Sequence, residues 1–282
     1  MEFFADLSSL QKLTWVFICL MLSWGLEAGI PFRKEAYGKW RHVLINLIFF
    51  VFVLLINVGF GLVTLQILNW TEAHQFGLLA MIHLPLWLEL IITVVFLDLV
   101  AQYLVHVLLH KVHWMWRLHL VHHSDTHVDA STGTRHHPLD YVLRETFAAG
   151  ALFLLGAPFG FYVFYRLLTV LFTYVTHANI RLPERIDRAL SLIFVTPNLH
   201  KFHHHNKTIW TDSNYGNVLS IWDRIFGTFI YDDPDRIVYG VDVMDETKDE
   251  NVWHQLKVPF GKYPPSPPAS QDENTPRSMR NF

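Results

Sequence analysis

Residues Val43–Leu68 read VLINLIFFVFVLLINVGFGLVTLQIL, an apolar run without one charged side chain. A helix needs about 20 mostly apolar residues to cross roughly 30 Å of hydrocarbon. Inside that layer its backbone polar groups must be satisfied within the segment, which favours helices. The run reads as a membrane-spanning helix and sets the class of fold. Upstream, Leu10–Ala28 meets the same length. It lacks a basic leading region and a small-residue cleavage site, so it reads as an anchor and not a removed signal. Downstream, Leu84–Leu109 is a third span that carries Glu89 and Asp98 and ends in histidines. The fourth apolar region, Phe147–Thr176, is interrupted by Gly156, Pro158 and Gly160. Such a break gives one long kinked helix or two shorter arms folded as a hairpin.

Loop charge chooses between these. Arg33, Lys34, Lys39 and Arg41 crowd the connection Pro31–Arg41 and place it on the cytoplasmic side by the positive-inside rule. Asn69–Gly77 has no lysine or arginine and belongs outside. Lys111 and Arg117 follow the third span, and Arg181, Arg185 and Arg188 follow the fourth region. Both ends of that region then share one side, which favours a re-entrant hairpin. The expected architecture is an all-α integral membrane protein with about three transmembrane helices, a re-entrant helical hairpin and a cytoplasmic helical cap. Residues 1–84 form a two-span anchor region, 85–262 a catalytic domain, and 263–282 a polar, Pro/Ser-rich tail without a core.

Composition agrees and excludes other classes. Of 282 residues, 51% are hydrophobic and 17% charged, where soluble domains carry about 25% charged residues. A net charge of −3 offers no basic surface for nucleic acid. A single cysteine, Cys19, excludes a disulfide framework, a cysteine-ligated zinc site and an iron–sulfur cluster. Histidine is in surplus: 18 against 14 glycines.

The surplus is ordered. His106-Val-Leu-Leu-His110 has i, i+4 spacing; His119-Leu-Val-His122-His123 and His200-Lys-Phe-His203-His204 both have i, i+3, i+4 spacing. On a helix each set gathers its rings on one side. Packing does not require imidazole at every such position, whereas iron, zinc, copper or nickel does. With His177 at the exit of the hairpin there are nine candidate ligands, too many for one ion and enough for two. Nearby carboxylates are too few for the carboxylate-rich di-iron site of helical bundles.

The combination resembles the fatty acid hydroxylase/sterol desaturase superfamily, whose signature is a short-spaced histidine pair followed by two His-x-x-His-His boxes. Asp98-Leu-Val-Ala-Gln-Tyr leads into the first box as is usual in that family. Arg135-His136-His137-Pro138-Leu139-Asp140 is close to its Arg-x-His-Pro-Leu-Glu segment. Thr196-Pro197-Asn198-Leu199-His200, Asp212-Ser213-Asn214-Tyr215-Gly216 and Trp222-Asp223-Arg224-Ile225-Phe226-Gly227-Thr228 complete the match, over roughly residues 85–260. The resemblance implies a membrane enzyme that uses two non-haem iron ions, O2 as co-substrate and external electrons to oxidise an unactivated C–H bond of a lipid. The implied metal ligands are His106, His110, His119, His122, His123, His177, His200, His203 and His204. His137 is a tenth candidate, whose role varies within the family. Asp98, eight residues before His106, is expected on the same helical face as an acceptor that orients a ligand ring; Asn179 and Asp212 are expected to act similarly. Hydroxylation is favoured over desaturation, with an ether-lipid monooxygenase as the alternative. Electrons are expected from a separate reductase, cytochrome or ferredoxin, and the lipid from the bilayer. The absence of a retrieval signal in the tail favours a bacterial cytoplasmic membrane over the endoplasmic reticulum.

Other readings explain less. A helical zinc protease needs His-Glu-x-x-His, and Val107 and Leu108 stand where its inner residues would be. A metal transporter would place ligands near the bilayer midplane, whereas these follow the ends of the spans. His113 shares the face of His106 and His110 without being required by the family pattern. His127, His136 and His205 are expected to face solvent or to sit behind the ligands. His42, His74, His83 and His254 are expected at interfaces or in loops. Trp114, Trp116 and Trp210 read as part of an interfacial aromatic belt, and Trp222-Asp223 as structural.

Overall fold

A computed structural model describes residues 2–34 and 37–261; the expected tail 263–282 lies outside them. The described residues contain only helices, turns and two isolated bridges, Pro31↔Ile180 and Phe194↔Leu219. The principal helices are α1 (Ser9–Gly29), α2 (Lys39–Ala73), α3 (Leu86–Lys111), α4 (His113–His123), α5 (Pro138–Leu155), α6 (Phe159–His177), α7 (Glu184–Leu190), α8 (Pro197–His203), α9 (Ile221–Ile225) and α10 (Val252–Lys257). Among the described residues, α1, α2, α3 and α6 are long and apolar enough to cross a membrane.

These four helices and α5 form the bundle. Leu68, Leu97, Ala101, Ala148, Leu152, Leu155 and Tyr165 are buried at its centre. Small side chains at Ala101, Ala148 and Ala151 let backbones approach closely, as membrane helix packing requires. The connection between α3 and α4 is the single extended residue Val112, so the chain reverses sharply and α4 folds back into the cap.

The expected hairpin is present as α5 and α6, joined at Gly156–Pro158. It reaches deeper than a re-entrant loop. Arms of 18 and 19 residues run about 27–29 Å at 1.5 Å per residue. Their tip meets the α2–α3 connection at the far end of the bundle, where Leu78 N–H donates to Leu154 O at 3.0 Å. The charge rule fixed where the ends lie, and it carries no information on how far the tip travels. Gly156 closes α5 in the left-handed region (φ 65°), and a Cβ there would stand 2.3 Å from Phe76 O. Gly156→Ala is therefore expected to cost about 1–3 kcal/mol, read as a lower midpoint of thermal unfolding in micelles. An unchanged midpoint would show that this tip contact does not hold the bundle.

Candidate metal centre

Four helix ends bring the histidines together. His106 and His110 lie in the last turns of α3, and His119, His122 and His123 in the last turns of α4. His177 is the last residue of α6. His200 and His203 lie on α8, with His204 as its C-cap. The start of α8 is fixed locally: Pro197 occupies the first turn and the Thr196 hydroxyl accepts from Leu199 N–H at 3.3 Å. Buried Lys201 then ties this helix to the exit of α6, its Nζ donating to the carbonyls of Pro197, Ala178 and Ile180. The carboxyl end of a helix carries a partial negative charge, so the convergence of these ends favours cations between them.

The nine rings fall into two sets. His106, His110, His119, His123 and His203 offer nitrogens within 4.8 Å of one another, as do His122, His177, His200 and His204. Donors on opposite sides of an ion with bonds of about 2.1 Å stand about 4.2 Å apart, so either set closes on an ion with small adjustments. None of the nine residues is more than 8% exposed. Burial lowers the pKa values of His122, His123, His200, His203 and His204, and that of His119 to about 3, in spite of the Asp140 carboxylate beside it. These rings stay neutral, the form that ligates metal.

Hydrogen bonds choose the tautomer. Nδ1 of His106 donates to Tyr215 O (2.8 Å), His122 to Arg135 O (3.2 Å), His177 to Thr173 O (2.7 Å) and His203 to Ser213 O (2.7 Å). His110 and His119 donate to Asp212 and Asp140, both at 3.3 Å. A carbonyl can only accept, so the bonded Nδ1 carries the proton and Nε2 keeps its lone pair. Yet Nε2 of His106 faces Nε2 of His119 at 3.1 Å, and that of His122 faces that of His177 at 3.2 Å. Two lone pairs at such a distance repel unless a cation lies among them. The buried Nε2 atoms of His110, His123, His203 and His204 have no hydrogen-bond partner, a costly state that an ion would relieve. The residues fit two histidine-bound metal ions.

The supporting acceptors differ in part from expectation. Asp212 accepts from His110 Nδ1 and also pairs with Lys111 at 2.8 Å. Asp98 touches no ligand ring: it accepts from the backbone N–H groups of Val218 and Leu219 and from Trp222 Nε1. A π-helical stretch, Asp98–Leu104, lies between it and the first box; its wider turn shifts Asp98 off the face of His106. With Asp223, which accepts from Tyr215 and Gly216 N–H, it fixes the loop whose carbonyls hold His106 and His203. That gives Trp222-Asp223 its structural role. Asn179 also misses the rings, binding both backbone polar groups of Arg33, because the chain turns extended at Ala178.

His137 is not brought to either set. Its Nδ1 accepts from Leu139 N–H and its Nε2 donates to Leu256 O, so neither nitrogen is left for a metal. The following Pro138 forces it into an extended conformation as the N-cap of α5. His136 lies closer, stacked on His122 with centroids 4.6 Å apart and donating to Asp140 at 2.8 Å. His205 accepts from Val238 N–H, outside the sets. Trp114 is exposed as a belt residue would be. Trp116, however, packs on the ring of His110, and Trp210 is buried beside Phe202. His42 is fully buried near Asp125 and Asp129, and neither in a loop nor at an interface.

Sequence reasoning passed over Asp140, which accepts from His119 and His136 and pairs with Arg144 at 3.4 Å. The signal was available, since positions 136, 140 and 144 form an i, i+4 ladder. Asp140→Asn is expected to weaken metal retention by about 10–100-fold, checked by the metal content after dialysis against a chelator. Retention equal to the parent would show that Asp140 does not orient His119.

Comparison with known proteins agrees with this geometry. The sequence model of the fatty acid hydroxylase family matches residues 90–228, which hold all nine rings. An ornithine lipid hydroxylase of Rhizobium tropici is 34% identical over 127 residues, covering 45% of this chain and 38% of that protein. The alkylglycerol monooxygenases of Homo sapiens (32% over 161 residues, 57% of this chain and 34% of that one) and Caenorhabditis elegans (30% over 164 residues, 56% and 30%) are also similar. The matched stretches thus span about a third of the length of these relatives. No solved structure matches this chain.

Proposed function

From the match of residues 90–228 to the fatty acid hydroxylase family, we propose that this protein is a membrane-bound di-iron oxygenase that hydroxylates an unactivated C–H bond of a lipid. The observation that carries the reading is the pairing of bare Nε2 atoms at 3.1 and 3.2 Å within two buried histidine sets. Iron suits an all-imidazole donor set, and the bound irons would supply the O2-derived oxidising power that no side chain has.

The chain's own residues do the rest. His106, His110, His119, His123 and His203 would hold one ion, and His122, His177, His200 and His204 the other. The carbonyls of Tyr215, Arg135, Thr173 and Ser213 fix ring tautomer and direction, and Asp140 and Asp212 strengthen two donors. Burial excludes bulk water from the rings. Arg33, Lys34, Lys39 and Arg41 lie at the histidine end of the bundle, which supports a cytoplasmic site served by a separate electron donor. The relatives act, by their names, on ornithine lipids and alkylglycerols, so a polar lipid is the substrate class we favour.

Lipid extracts of cells with and without the protein, compared by mass spectrometry, test this. A species heavier by one oxygen is expected. Loss of two hydrogens would mark a desaturase, and an aldehyde released from an ether lipid an alkylglycerol-type activity. Identical extracts in cells that make folded, iron-loaded protein would remove the proposal.

A further inference from the structure

Two short segments of the cap present apolar side chains to the outside. Ile186, Leu190, Leu192 and Ile193 come from α7 and the turn after it, and Ile225 and Phe226 from α9 and its end. Each of the six is 45–65% exposed. The segments form one edge: Ser220 N–H donates to Ile193 O, and Ser220 Oγ and the Arg224 guanidinium both donate to Ser191 O. A patch of this kind normally marks an interaction surface.

Its surroundings identify the partner. Phe194, in the same edge, packs on Phe172 of α6 with centroids 5.7 Å apart, and Phe226 stacks on Tyr103 of α3 at 5.3 Å. Phe172 precedes the end of α6 by five residues, about 7.5 Å along the axis. The edge therefore flanks the last turns of two helices able to span a membrane, continuing their apolar lateral surface. Exposed Arg185, Arg188 and Arg224 rise from the same segments. Apolar side chains with interspersed arginines suit the boundary between acyl chains and phosphate headgroups.

We propose that the edge formed by residues 184–194 and 221–227 is embedded in the interfacial layer of the bilayer, its apolar side chains among the acyl chains and its arginines at the lipid phosphates. The proposal rests on the membrane-spanning bundle and is independent of the metal chemistry. It places the metal-bearing cap partly within the membrane boundary, so a lipid could approach it without leaving the bilayer.

Spin labels test it in the full chain. Cys19 is the only cysteine and is fully buried, so labels go to introduced sites. Ile193→Cys and Ile225→Cys report on the edge, Leu55→Cys on the middle of α2, and Lys248→Cys on the outer cap. The labelled proteins are placed in vesicles of phosphatidylcholine and phosphatidylglycerol. Collision rates with O2, which partitions into lipid, and with a water-soluble nickel chelate are then compared by power saturation. The O2-to-nickel ratio should exceed one at 55, 193 and 225 and fall below one at 248. A ratio below one at either 193 or 225 would overturn the proposal, placing the edge in water. Shielding from both reagents there would also overturn it, since the edge would then be covered by protein.

Discussion

Replacing His203 by alanine is expected to abolish the oxidised lipid and to lower bound iron from two equivalents toward one. His203 belongs to the five-ring set, its Nδ1 donates to Ser213 O and its buried Nε2 has no protein partner. Its loss removes a donor from one ion and leaves the set of His122, His177, His200 and His204 intact. His122→Ala should do the converse, depleting the four-ring set. Because altering even a supporting residue lowers activity by about 10–100-fold, loss of a ligand should exceed about 100-fold. His205→Ala is the control. That ring accepts one backbone N–H and packs on Trp210, so its removal should cost about 1–2 kcal/mol and leave most of the product. Product formation with iron analysis on the purified variants decides this. Equal loss of product and iron in all three would refute the ligand assignment.

The second large effect is expected at Arg135. It is fully buried, and its guanidinium donates to Val121 O, Asn46 Oδ1, Ser124 Oγ and Asp249 O. It thereby joins α2, α4, the connection to α5 and the segment before α10. Arg135→Met would fill much of the volume while removing four donated hydrogen bonds and a positive charge that helps to hold the buried Asp125 carboxyl below its usual range. Breaking such a network costs about 3–5 kcal/mol. Because His122 is oriented by the Arg135 carbonyl, iron in the four-ring set should also become labile. Unfolding of the reconstituted protein measures the first effect and chelator-accessible iron the second. A stability change below about 1 kcal/mol would show that the network is not what holds the cap.

The long apolar helices and the grouping of the histidines were legible in the sequence because each follows from a local period. Val43–Leu68 is apolar throughout, and the histidine boxes repeat at three and four residues, so a helix alone aligns their rings. What was not legible depends on chain that bends between the residues concerned. Asp98 was assigned to the face of His106 by counting α-helical turns, and the π-helical stretch between them changes the count. His137 matched a motif, yet the extended backbone before Pro138 gives its buried ring a capping role away from both histidine sets. The burial of His42 arises from α2 meeting the α4–α5 connection some 80 residues later, a pairing no local pattern records. The depth of the α5–α6 hairpin likewise depends on the meeting of Gly77 and Gly156. Asp140 could have been found, since its spacing from His136 and Arg144 was visible.

Anaerobic titration of the metal-free protein with ferrous iron, followed by X-ray absorption at the iron edge, tests the central claim most directly. Two tightly held equivalents are predicted, with nitrogen neighbours near 2.1 Å and the outer-shell scattering of imidazole rings. A single equivalent, or a shell dominated by oxygen without imidazole scattering, would contradict it.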